Sequence, residues 1–151
     1  MHESRPHPVQ QLFEATSRLP YPAGMKPVPH MISGLSFFPG GLGLYRAGTE
    51  VPPFPFNGVM VVGQDFDTEK NHADSPHGES PQSSTWRHLL NLLRSAGIPE
   101  TRCFYTNAYM GLRSGNGSNT GRSPGRRCDE FRRACAAFLV QQIDTMRPEV
   151  I

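Results

Sequence analysis

The run Gly63-Gln64-Asp65-Phe66-Asp67 follows directly on the apolar stretch Val59-Met60-Val61-Val62. A glycine there lets the backbone approach a ligand closely. Asp65 and Asp67 bring carboxylates that can bind a metal, act as a base or stabilise a developing cation. An aspartate after a strand is also an ordinary turn or cap residue. A second apolar run, Cys103-Phe104-Tyr105-Thr106, ends at Asn107. The planar amide of Asn107 offers one acceptor and two donors. That set matches a base edge carrying an acceptor beside a donor, such as O4 and N3–H of uracil; cytosine presents the reverse pattern. The same amide can instead satisfy the backbone of its own loop.

Basic residues supply a third set. Of 15 Lys+Arg, only Lys26 and Lys70 are lysine. Arginine's planar fork suits phosphate, and Arg113, Arg122, Arg126 and Arg127 flank the Gly/Ser/Asn loop Ser114–Arg122. On composition alone, the excess of arginine reads as the mark of a GC-rich genome. The loop lacks the G-x-x-x-x-G-K-[ST] pattern of a nucleotide-binding P-loop. Cys128 and Cys135 have no paired histidine nearby, so a zinc site is not expected. His72 and His77 flank a polar stretch and read as solvated.

These residues need elements to position them. Val59–Val62 reads as a strand buried on both faces. A polar stretch from Gln64 to Ser83 follows, read as a long functional loop. Trp86, Leu89, Leu90 and Leu93 make one helical stripe, capped by Ser83 or Ser84 and stopped by Gly97 and Pro99. Cys103–Thr106 is a second strand. A second long helix covers about Cys128–Met146, with Phe131, Cys135, Phe138, Leu139, Ile143 and Met146 on its apolar face and Pro148 at its end. Glu149-Val150-Ile151 reads as a third strand just starting. The β-α-β-α-β order implies a parallel sheet with right-handed crossovers, and ligands bind beyond the carboxyl ends of such strands. Residues 1–57 read as an irregular, Pro-rich lead-in with one short helix near Gln10–Arg18. Its aromatic residues suit an arm packed over the core of a domain spanning 58–151.

Composition narrows the classes. The chain has 151 residues and a formal net charge of +2, enough for one domain with one sizeable core. The longest apolar run, Cys135–Val140, is too short to span a bilayer. No apolar segment follows the N-terminal Met1–Pro6 stretch to suggest a secretory signal. Three cysteines at irregular spacing argue for a reducing compartment, the cytoplasm.

Taken together, Val61-Val62-Gly63-Gln64-Asp65, the Trp86–Leu93 helix, Phe104-Tyr105-Thr106-Asn107-Ala108, the Arg/Pro/Gly loop, and the helix containing Cys135 and closing in Arg147-Pro148-Glu149-Val150-Ile151 resemble the uracil-DNA glycosylase superfamily. The resemblance covers residues 58–151. It implies a three-layer α/β/α fold with a central parallel sheet, truncated here at the third strand. It implies a hydrolase of base excision repair that cleaves the N-glycosidic bond of uracil, or a related damaged base, in DNA. On that resemblance Asp65, with Gln64, takes the place of the water-activating motif. Gly63, Phe66, Asp67 and Asn107 take the place of the base-binding residues, with Asn107 reading the uracil edge. Arg113, Arg122, Arg126 and Arg127 are expected at the DNA backbone.

The expected partner is uracil-containing DNA, bound by a monomer with no cofactor and no metal. Phe66-Asp67 replaces the Pro-Tyr of well-known members, so weaker rejection of thymine is expected. Cys135 matches one cysteine of the family's iron–sulfur branch, but one thiol cannot hold a cluster. The family's His-containing last motif lies beyond the third strand. Residues 1–151 alone are therefore expected to be marginally stable and inactive. The alternative is a catalytically degenerate member that binds nucleic acid or another partner.

Overall fold

A computed structural model describes residues 8–46, 51–115 and 121–151. The middle of the Ser114–Arg122 loop thus lies outside the described residues. The elements are α1 (Pro8–Thr16), β1 (Met25–Lys26), β2 (Val59–Asp65), α2 (Glu69–Ala73), α3 (Ser84–Ser95), β3 (Cys103–Tyr109), β4 (Leu112–Arg113) and α4 (Asp129–Met146). The chain is mixed α/β. β2 and β3 form a parallel pair in which Val59 faces Cys103 and Gly63 faces Asn107. β1 and β4 form a short antiparallel pair.

Successive side chains on a strand point to opposite faces, and β3 obeys this closely. Cys103 and Tyr105 join a core with Trp86, Leu90 and Leu93 of α3. Phe104 joins the other core, with Phe131, Cys135 and Phe138 of α4. One helix therefore covers each face of the β2–β3 pair. Asn107 continues the Cys103/Tyr105 face, on the side of α3. Gly63 and Asp65 continue the face of Val59 and Val61, which pack against the same core. The residues with chemistry accordingly emerge on one side of the sheet.

The Pro-rich lead-in is built into both cores. Val9, Leu12, Met25 and Phe38 belong to the α4-side core, and Leu35 and Phe37 to the α3-side core. It also pairs with the sheet: Leu44 forms an antiparallel bridge to Phe104, and Tyr105 N donates to Gly43 O at 2.8 Å. Residues 43 and 44 thus occupy the edge of β3 that an open sheet would expose. On the far edge of β2, the expected third strand is one parallel bridge, Val59 to Val150, with Met60 N donating to Val150 O at 2.9 Å.

The polar stretch after β2 is not structureless. Thr68 Oγ1 caps α2 by accepting from Asn71 N at 3.2 Å. α3 starts after Ser83, as expected, although the Ser83 hydroxyl makes no capping bond. Leu139 and Ile143 of α4 are only partly buried, whereas Gln142 is fully buried and accepts from Thr106 Oγ1 at 2.6 Å. His72, expected in solvent, is 3% exposed, and its Nε2 lies 3.0 Å from His30 O. No helix among the described residues is long and apolar enough to cross a membrane.

Candidate functional site

A cleft of about 470 Å³ opens at the carboxyl ends of β2 and β3. It is lined by Gly63, Gln64, Asp65, Phe66, Asp67 and Asn107, by Phe37 and Glu79, and by Ser83–Thr85 at the start of α3. All six residues expected at the catalytic and base-binding positions meet there. The volume is that of an ordinary small-molecule pocket.

Asn107 is 3% exposed, and its Nδ2 donates to Phe38 O at 3.2 Å. That bond uses one N–H and fixes the plane of the amide, leaving a second N–H and Oδ1. Oδ1 packs on Gly63, where an added Cβ would stand 2.6 Å from it. Only glycine fits this side of the amide.

Asp65 is paired. Arg113 donates to its Oδ2 from Nε and from Nη2, each at 2.7 Å, and the two side chains are only 9% and 12% exposed. Arg113 Nη2 also donates to Gly121 O at 2.9 Å, and Gln64 Nε2 reaches the same carbonyl at 3.5 Å. Arg113, expected at the DNA backbone, is thus turned inward. Its guanidinium holds the Asp65 carboxylate and the end of the arginine loop together. Its backbone is fixed on two sides, by pairing with Met25 of β1 and by the bond from Arg113 N to Asp67 O at 2.8 Å.

Asp67 has a structural task within the site. Its Oδ1 accepts from Thr68 N at 2.7 Å and from Asn71 Nδ2 at 2.9 Å, so it organises the turn into α2. Phe66 packs on Gly40, where a Cβ would collide with the ring, and meets the His72 ring edge-on.

Two lining residues escape sequence reasoning. Phe37 belongs to the lead-in, and its ring sits 4.8 Å from Trp86 and 5.6 Å from Tyr105, giving the cleft an aromatic wall. Glu79 lies in the polar stretch, where no periodicity marks it. Its backbone N donates to Leu35 O at 2.7 Å, and its Oε2 accepts from Phe37 N at 3.4 Å. Burial pushes the Glu79 carboxyl above the ordinary glutamate value, against the hydrogen bonds it accepts from Trp86 and Phe37 N.

A second, larger cleft of about 760 Å³ is lined by Pro22, Ala23, Ser123, Pro124, Cys128 and three arginines, Arg122, Arg126 and Arg127. The three arginines are exposed, and no ion pair with a described residue ties them up. The 3-10 turn Pro124–Arg127 presents Arg126 and Arg127 just before α4, and Arg122 lies two residues ahead of the turn. Gly121, whose carbonyl accepts from both Arg113 and Gln64, directly precedes Arg122, so the strand-end site is tied to the residue beside the arginine cleft. Cys135 is 1% exposed in the α4-side core. No group of three or more His, Cys, Asp or Glu residues placed to hold a metal occurs among the described residues. Comparison of the chain with family models, curated proteins and solved structures returned no match in any of the three.

Proposed function

We propose that the chain is a DNA base-excision glycosylase of the uracil-DNA glycosylase type, and that the β2–β3 pair belongs to a three-layer α/β/α sheet of that type. The observation that carries the reading is the convergence of Asp65 and Asn107, from adjacent strand ends, on one cleft with an aromatic wall. Chemistry on a base requires that it leave the stack for a pocket that reads its edge and face. Phe37 supplies a surface for stacking. Asn107 keeps an acceptor for N3–H and a donor for O4.

Breaking the bond between base and sugar builds positive charge on the sugar. A fixed carboxylate near C1′ stabilises that charge and orients water. Arg113 keeps Asp65 oriented for both tasks. Arg122, Arg126 and Arg127 are exposed and line the second cleft, where they are free to take phosphates of the bound strand.

A second reading rests on the Asp65–Arg113 pair. A carboxylate occupied by a guanidinium is not free to hold the attacking water, which favours a protein that binds nucleic acid without cleaving it. Mixing the full chain with U·G and T·G duplexes separates the two. Release of free uracil is expected, in place of the inactivity that the sequence suggests, because the lead-in completes both cores and the cleft; preference over thymine should be modest because Asn107 matches both edges. Asn107→Ala should slow release by the equivalent of about 1–3 kcal/mol per unpaired group. Duplex binding without release of any base would favour the second reading.

A further inference from the structure

We infer that the backbone carbonyl of Gly121 is a positioning group for Asp65: it turns Arg113 so that the guanidinium takes one carboxylate oxygen and leaves the other to the attacking water. The inference rests on the glycosylase reading. It adds to that reading a residue that acts through its backbone alone.

Arginine and carboxylate often meet fork to fork, with two parallel N–H···O bonds that occupy both oxygens. The pair here is different. Nε and Nη2 of Arg113 both stand 2.7 Å from the same oxygen, Oδ2. Oδ1 accepts no hydrogen bond from a described residue, and Asp65 lines the strand-end cleft, so that oxygen is left to the cleft. A carboxylate gripped by one oxygen is fixed in place while the other can hold water and face the developing charge on the sugar.

The cause lies at the other side of the guanidinium. Nη2 also donates to Gly121 O at 2.9 Å, so it is shared between Gly121 and Asp65. The Arg113 backbone is pinned by Met25 and by Asp67 O, so it cannot follow a guanidinium that turns. Swinging the guanidinium to cover both oxygens would break its bond to Gly121. Gln64 Nε2 reaches the same carbonyl at 3.5 Å, from the residue next to Asp65. Gly121 presents that carbonyl from left-handed backbone, with φ +80°, and an added Cβ would meet no atom within 4 Å. Backbone conformation, not crowding, calls for glycine here.

That separation supplies the test. Gly121→Val opposes a positive φ and turns the carbonyl, whereas Gly121→Asn tolerates it and keeps the carbonyl in place. Single-turnover release of uracil by the full chain is measured across a range of oligonucleotide concentrations. Gly121→Val should release uracil about 10- to 100-fold more slowly at saturation, with the half-saturating concentration unchanged. Gly121→Asn should keep the wild-type rate. Gly121→Ala is less strained and should show a smaller loss of the same kind; it replaces Gly121→Val if that variant does not fold. The wild-type rate in the folded, strained variant overturns the inference. So does an equal loss in Gly121→Asn, which would make the added side chain the cause and not the carbonyl. A change confined to the half-saturating concentration also overturns it, because the carbonyl would then serve DNA binding alone. If the wild-type protein binds the oligonucleotide and releases no uracil, the glycosylase reading itself fails, and this role for Gly121 with it.

Discussion

Gly63 on β2 stands opposite Asn107 on β3, and Asn107 Oδ1 occupies the space that a side chain at position 63 would need. The amide cannot swing away freely, because its Nδ2 is bonded to Phe38 O. A glycine at the end of a buried strand and an amide at the end of its neighbour are thus one unit. Gly63→Ala should force Asn107 or the strand to shift, costing about 1–3 kcal/mol of stability. Urea unfolding of the variant measures the cost, and an unchanged midpoint would show that the amide is mobile.

Arg113 and Asp65 form a largely buried pair. Arg113→Met removes the cation and leaves a largely buried carboxylate without its partner. A loss of about 3–5 kcal/mol is expected, as for other buried pairs broken on one side. Asp65→Asn combined with Arg113→Met removes both charges and should recover part of that loss. A double-mutant cycle by urea unfolding reads the coupling, and simple additivity would mean that the pair contributes nothing.

The aromatic lead-in is expected to hold the domain together. Phe38 is fully buried, with its ring 5.9 Å from Phe104 and 6.2 Å from Phe138. Phe38→Ala should cost about 3–5 kcal/mol. Removal of residues 1–57 should abolish cooperative melting, since residues 43 and 44 also pair with β3. The full chain should melt cooperatively, contrary to the marginal stability expected from sequence. A sharp transition in the shortened chain would show that the segment is dispensable.

His72 ties stability to pH. Burial lowers its imidazole below the ordinary value of 6.5, so the folded state favours the neutral ring. His30 and Asp67 are the charged or titratable neighbours that act on it. The unfolded chain takes up a proton near 6.5, and the folded chain does so only at lower pH. This contribution to stability is therefore complete above the unfolded value and is lost as pH falls through the folded one. Urea midpoints should drop between about pH 7.5 and about pH 5, and drop less in His72→Gln. Equal drops in both proteins would remove His72 as the cause.

The sequence made legible whatever depends on local pattern. Val59–Val62 and Cys103–Thr106 announce strands by their apolar runs, and the Trp86–Leu93 stripe announces α3. The strand-end rule then brings Gly63, Asp65 and Asn107 to one cleft. What was not legible depends on distant contacts. Phe37 and Glu79 reach the site only because residues 34–37 pack against residues 77–79. Helix α2 has five residues, too few to show a stripe, and rests on the Thr68 cap. Gln142 is polar yet fully buried, because Thr106 meets it from the facing strand. Arg113 looks like a phosphate ligand until β4 turns it toward Asp65.

The central claim is that Asp65 acts on a base held in the cleft beside Asn107. Single-turnover release of uracil from a labelled oligonucleotide by the full chain, compared with Asp65→Asn, tests it most directly. The account predicts measurable release by the wild-type protein and a loss of at least about 100-fold in Asp65→Asn, with oligonucleotide binding retained. Release by Asp65→Asn at the wild-type rate would contradict it.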